Sequence, residues 1–150
     1  MKFKLLLLIL LLLSFPFTLF GLTLEEERKY GKEVFLEIAR SVPVNNDPYI
    51  SVYVQTIKDS LESNATLAFP ITLTIIDSQT ADAFATIGGY VFITMGLIAM
   101  CDKEEELAGV LAHEFAHISK RHIAKRIEKE KYINIASLAS LLAAILIPDP

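Results

Sequence analysis

The chain has 150 residues, 53% of them hydrophobic, a net charge of −4 and one cysteine. That length suits one domain or part of a larger one. The acidic balance gives no electrostatic case for a nucleic-acid partner, and the lone Cys101 excludes a disulfide framework and a cysteine-built structural zinc. Much of the apolar content lies at the two ends, which leaves a middle of ordinary globular composition and argues against a multi-span membrane protein.

Lys2 and Lys4 precede an unbroken apolar run from Leu5 to Leu13, and Ser14, Pro16, Thr18 and Gly21 follow. A positive start, a short apolar core and then helix breakers describe an export signal. No clear small-x-small cleavage pair stands before Leu22, and the apolar stretch extended to Leu22 is just long enough to stay as an anchor. Residues 1–22 are therefore expected to be a signal peptide or an N-terminal membrane anchor, with the folded domain in residues 23–150.

Thr23 with Glu26 forms a capping box for a helix reaching about Val42, with Leu24, Tyr30, Val34, Leu36 and Ile38 as its apolar positions. Gly31 weakens that helix. Asp47-Pro48 opens a second helix, proline being tolerated at the first position, with Ile50, Val54, Ile57 and Leu61 on one stripe. The acidic residues of both helices read as a solvated face.

The period then changes. Ile71, Leu73 and Ile75 alternate with Thr72 and Thr74, and two further extended runs, residues 82–87 and 90–94, flank Gly88-Gly89. Two glycines between such runs predict a tight hairpin, because both accept positive φ. The result is a small antiparallel sheet. Its edge can pair with an extended peptide, or the sheet can simply cover the helix that follows.

That helix is expected to run unbroken from Asp102 to about Lys131. Asp102 and Glu105 are placed as a capping box, and Glu104, Glu105 and Glu106 suit the positive end of the helix dipole. Leu107, Val110, Leu111, Phe115 and Ile118 give it a buried side. It carries His113-Glu114-Phe115-Ala116-His117. Residues four apart stand about 40° round a helix axis, so the two imidazoles point the same way, and Glu114 lies about 100° from His113 and about 60° from His117. Two neutral imidazoles on one face can hold Zn2+, and a carboxylate beside them can take a proton from a water on that ion. Peptide-bond hydrolysis, with a polypeptide substrate, is the chemistry that pattern serves. A pattern of three fixed positions also arises by chance, and its place on a well-started, half-buried helix is what argues against chance here. His122 follows His117 by about 140° on an unbroken helix and would face away as a structural or exposed residue.

The motif is followed by a basic run of Lys120, Arg121, Lys125, Arg126, Lys129 and Lys131, and then by a stretch, residues 132–147, that is almost wholly apolar. It is short for a membrane span. It fits either a buried helix or contact with an anionic membrane surface.

Read together, Asp82-Ala83-Phe84-Ala85, then Gly88-Gly89-Tyr90-Val91-Phe92-Ile93-Thr94, then Glu105-Leu107-Ala108 and the His113–His117 motif followed by Arg121-His122 resemble the family-48 zinc metallopeptidases. The resemblance is closest to the exported bacterial quality-control branch, and it runs from about Thr23 to the end. It implies a zincin-like α+β fold, with helices packed on a small antiparallel sheet and the motif on a central helix. It also implies a zinc endopeptidase with His113 and His117 as metal ligands, Glu114 as general base and Asp82, Ala83, Phe84 and Ala85 in substrate binding. The family commonly has asparagine where this chain has Asp82. Family members act on misfolded or membrane-associated proteins, which implies an exported, periplasmic or membrane-associated protein with the membrane surface as a partner.

The family's third ligand is a glutamate on a later helix, and the residues after His122 offer only Glu128, Glu130 and Asp149, none in a matching place. A catalytic zinc ordinarily has three protein ligands. The 150 residues are thus expected to be the front of a longer protease, or else an inactive relative serving as a membrane-associated binding or chaperone-like module. Nothing in the sequence sets the oligomeric state.

Overall fold

A computed structural model describes residues 21–129 of the chain. The expected signal or anchor segment, the apolar stretch 132–147, Glu130 and Asp149 lie outside the described residues. Helix α1 spans Leu24–Ser41 and α2 spans Pro48–Ser63; strands β1 (Thr72–Ile76), β2 (Ala83–Ala85) and β3 (Tyr90–Thr94) follow. Helices α3 (Met95–Met100), α4 (Glu104–Ser119) and α5 (His122–Lys129) complete the described part. It is a mixture of helices and one small sheet, α+β in class. Among the described residues no helix is long and apolar enough to cross a membrane.

Both early helices start as their sequences dictate. Thr23 Oγ1 accepts from Glu26 N–H, and the Glu26 carboxylate accepts from Thr23 N–H, closing the capping box on α1. Asp47 Oδ1 accepts from the Tyr49 and Ile50 amides, with Pro48 at the first helical position of α2.

The sheet departs from expectation. Its order is β1-β3-β2, with β2 antiparallel to β3 but β1 parallel to it. It is mixed, not antiparallel. After β1 the chain passes across to the far side of β3 before turning back, so the hairpin partner and the parallel partner occupy opposite edges of β3. Alternation shows which residues share a face; it carries no information on strand direction. The hairpin forms, with Gly88 at φ 82° and Gly89 at φ 91°, but β2 is shorter than the expected run and the loop takes in Ile87 as well, because Thr86 N–H donates to Tyr90 O.

Strand β3 is therefore covered on both faces. Val91 and Ile93 join Val54 and Ile57 of α2, Leu97 of α3 and Leu107, Leu111, Phe115 and Ile118 of α4 in the larger core. Phe92 lies with Val34, Ile38, Val42 and Ile76 in a second core beneath α1. Phe35 stacks on Tyr90 at 4.7 Å and Phe84 on Phe92 at 5.0 Å between ring centres, sealing that side.

Gly31, which weakens α1 as a helix former, has a packing reason. A Cβ there would stand 2.2 Å from the Ile87 carbonyl oxygen and 3.0 Å from Gly88 Cα, so α1 crosses the hairpin backbone to backbone. Gly31→Ala is expected to cost about 1–3 kcal/mol through forced separation of the two, despite the better helix propensity of alanine. Urea unfolding of the two proteins checks it; an unchanged or raised midpoint would show that the crossing can open without cost.

The start of α4 also differs. Lys103, not Asp102, is its N-cap, and it makes no side-chain cap. The helix begins one residue later than expected, which puts Glu106 rather than Glu105 at the third position, and the Glu106 carboxylate reaches back to Asp102 N–H at 2.8 Å.

Candidate active site

Helix α4 presents His113 and His117 on one side, with their Nε2 atoms 3.1 Å apart. The rings meet edge to face at 4.8 Å between centres. His113 is exposed and His117 half-buried. Phe115, one position along from Glu114, is buried in the larger core and fixes the rotation of the helix.

Glu114 is half-buried, and its Oε2 accepts from Ala85 N–H at 2.8 Å. Burial pushes its carboxyl above the usual glutamate value, opposed by the Ala85 amide and by the nearby His117 and His113. That bond ties the motif helix to β2, the strand at the sheet margin. Thr94 N–H donates to Asp82 O and Thr86 N–H to Tyr90 O, so the even-numbered residues of β2 pair with β3. The main chain of Ala83 and Ala85 consequently points the other way, toward α4.

Asp82 sits at the start of that strand. Its amide donates to Thr94 Oγ1 and its Oδ1 accepts from Ala83 N–H, bonds that shape the entrance to β2. Phe84 is stacked in the aromatic layer under α1. Of the stretch Asp82–Ala85, Ala85 makes the hydrogen bond to the motif helix, while Ala83 and Ala85 also pack into the core that the helix shares.

The long helix expected from Asp102 to Lys131 is broken after Ser119. Lys120 is the C-cap of α4, Arg121 takes φ 53°, and α5 starts at His122. No glycine or proline marks the break, and a non-glycine residue at positive φ is disfavoured. Arg121 is held there by its guanidinium, which donates to the buried carboxylate of Glu27 and to the Leu22 carbonyl. Glu27 is only 2% exposed, so the reading of the α1 acids as a solvated face fails at this residue.

The break also overturns the expected direction of His122. On a continuous helix it would face away from His117; the left-handed residue between them turns it back. His122 Nδ1 lies 2.9 Å from His117 Nδ1, on the ring nitrogen that does not face His113. The imidazole of His122 sits below its usual pKa, through desolvation first and then the neighbouring His117, Lys120 and Lys125.

The donor pair suits zinc. A tetrahedral ion with bonds of about 2.0–2.1 Å to nitrogen separates two such ligands by about 3.3 Å, close to the spacing seen here. Among the described residues no group of three or more His, Cys, Asp or Glu is arranged to share one ion. His113 and His117 would thus supply two ligands of a larger set.

A profile of peptidase family M48 matches residues 46–147, which takes in the strands and the motif. The chain belongs to peptidase family M48. Over 133 residues, 85% of this chain, it is 30% identical to the beta-barrel assembly-enhancing protease of Escherichia coli. It is 39% identical over 98 residues, 63% of the chain and 30% of that protein, to a protease HtpX homolog of Desulfatibacillum aliphaticivorans. A shorter stretch of 55 residues, 37% of the chain and 16% of that protein, is 47% identical to the mitochondrial metalloendopeptidase OMA1 of Schizosaccharomyces pombe. The chain spans about a quarter of the length of the longer-matching M48 relatives, 27% for the Escherichia coli protein and 26% for that of Yersinia pestis.

Proposed function

We propose that the protein is a zinc-dependent endopeptidase with a zincin-like site, in which His113 and His117 bind the metal and Glu114 is the general base. The observation that supports this most is the pair of Nε2 atoms at chelating distance, with a desolvated carboxylate beside them. Bound zinc would supply an activated water, its pKa lowered to about 7, and polarise the scissile carbonyl. Glu114 accepts the proton of the attacking water on the oxygen not engaged by Ala85 and returns it to the leaving amide nitrogen. The β2 margin, Asp82–Ala85, holds the substrate next to the motif helix through the outward carbonyls of Ala83 and Ala85, whose amides are already bonded to Asp82 Oδ1 and Glu114 Oε2.

A third ligand is proposed from a carboxylate outside residues 21–129. The substrates are proposed to be misfolded or membrane-associated polypeptides, since the apolar start after Lys2 and Lys4 and the basic run after the motif both suit an exported protein working at a membrane surface. Should the third ligand not exist, the same scaffold would be left as a binding module without catalysis.

One experiment separates these. Protein made from the complete coding sequence is expected to cleave unfolded casein, to lose that activity with 1,10-phenanthroline and to regain it with zinc. The 150-residue chain alone is expected to bind zinc weakly and to cleave negligibly. Cleavage indifferent to the chelator would remove the metal mechanism, and no cleavage by zinc-loaded full protein would favour the binding module.

A further inference from the structure

We propose that His122 is a positioning residue for His117: its Nδ1 accepts the proton on His117 Nδ1 and so fixes the tautomer that leaves Nε2 free for the metal. This rests on the zinc site proposed above, and it adds a residue that the five-residue motif does not contain.

A neutral imidazole carries one proton on either of its two nitrogens, and only the bare one can bind an ion. For His117 the nitrogen that faces His113 is Nε2, so the proton belongs on Nδ1. Ligating histidines hold that second N–H in a hydrogen bond, which orients the ring and strengthens the donor. The partner available to His117 is His122, with 2.9 Å between the two Nδ1 atoms and 4.9 Å between ring centres, edge to face. For that bond to form, His122 carries its own proton on Nε2 and offers a bare Nδ1.

The backbone is built for this contact. Five residues of continuous helix would carry His122 about 140° away from His117. The left-handed Arg121 cancels that rotation. The conformation is disfavoured for arginine, yet it is secured by the bonds of Arg121 to Glu27 and Leu22, and α5 starts immediately afterwards. The break thus sets the His122 ring against the side of His117 remote from His113, where it serves His117 without competing for its metal-facing nitrogen.

The test uses protein from the complete coding sequence, as wild type, His122→Ala and His122→Asn. Asparagine places its side-chain oxygen where histidine has Nδ1 and can accept the same proton. Zinc affinity is read by competition with a chromophoric chelator, and the His117 tautomer by long-range proton–nitrogen NMR on ring-labelled protein. His122→Ala is expected to weaken zinc binding about 10–100-fold and to broaden or remove the hydrogen-bonded Nδ1 proton signal of His117. His122→Asn is expected to recover most of the affinity and the signal. Unchanged affinity in the alanine variant would overturn the proposal, as would an Nε2-protonated His117 in the zinc-bound wild type. Complete zinc loss in both variants would make His122 a ligand and overturn the positioning role. A wild type that binds no zinc would instead strike down the metal site itself, and this inference with it. If the alanine variant fails to fold by circular dichroism, the asparagine variant decides: native affinity and proton signal support the role, and their loss in a folded protein refutes it.

Discussion

Glu114→Gln in the full-length protein is expected to lower kcat/KM for peptide hydrolysis by about 10²–10⁴-fold while zinc stays bound. Glutamine matches glutamate in shape, and its side-chain carbonyl can still accept from Ala85 N–H, so the tie between α4 and β2 survives. What is lost is the carboxylate beside the histidine pair that takes a proton from water and hands it on. Removing the charge also relieves a carboxylate that burial disfavours, so stability should hold or rise slightly. Cleavage of a quenched fluorescent peptide and metal content measured on the same sample check the pair of outcomes. Turnover near the wild-type rate would exclude Glu114 as the base, and loss of zinc with activity would make it a ligand.

Arg121→Ala carries the largest expected loss of stability, about 3–5 kcal/mol, because it strands the buried Glu27 carboxylate without its partner. A change of that size lowers the Tm of a domain near this size by more than about 10 °C. Two further variants show which part of the arginine matters. Arg121→Gly accepts φ 53° without strain but lacks the guanidinium, so it should recover only a small share of the loss. Replacing both Glu27 and Arg121 by leucine should recover more, since no charge is then left buried. Denaturation midpoints of the three proteins settle the order. Arg121→Ala within about 1 kcal/mol of wild type would mean that water reaches Glu27 once the guanidinium is gone.

The contrast between these two sites shows what a sequence can carry. Glu114 is legible because its chemistry is local: a helix period sets it against His113 and His117 with no knowledge of the rest of the chain. The caps at Thr23 and Asp47, the two positive-φ glycines of the hairpin and the apolar stripe through Leu111 and Phe115 are legible for the same reason. Membership of a peptidase family is legible too, because the motifs stand in a fixed order. Long-range pairings are not. The helical period puts Glu27 in line with Gly31, Val34 and Ile38 and so turns it inward, but it does not name the partner, an arginine far along the chain. The end of α4 at Ser119 is hidden likewise, because the residue that turns the chain is an arginine stabilised from outside, not a glycine or proline. The error in placing His122 follows from that one missed turn. The parallel pairing of β1 with β3 belongs to the same class, since alternation in Thr72–Ile76 is compatible with either direction.

The grip of Arg121 on the first described residues has a consequence for how this protein can vary. It holds Leu22 by a main-chain oxygen and Glu27 by a side chain, so what is fixed is the path and length of the chain between those points. Point substitutions at Leu22, Leu24 or Glu25 leave both handholds in place. A deletion or insertion of a single residue between Leu22 and Glu27 would carry one of them out of reach and loosen the turn that follows the motif. Drift in spelling is tolerated there; a change in spacing is felt at the histidines.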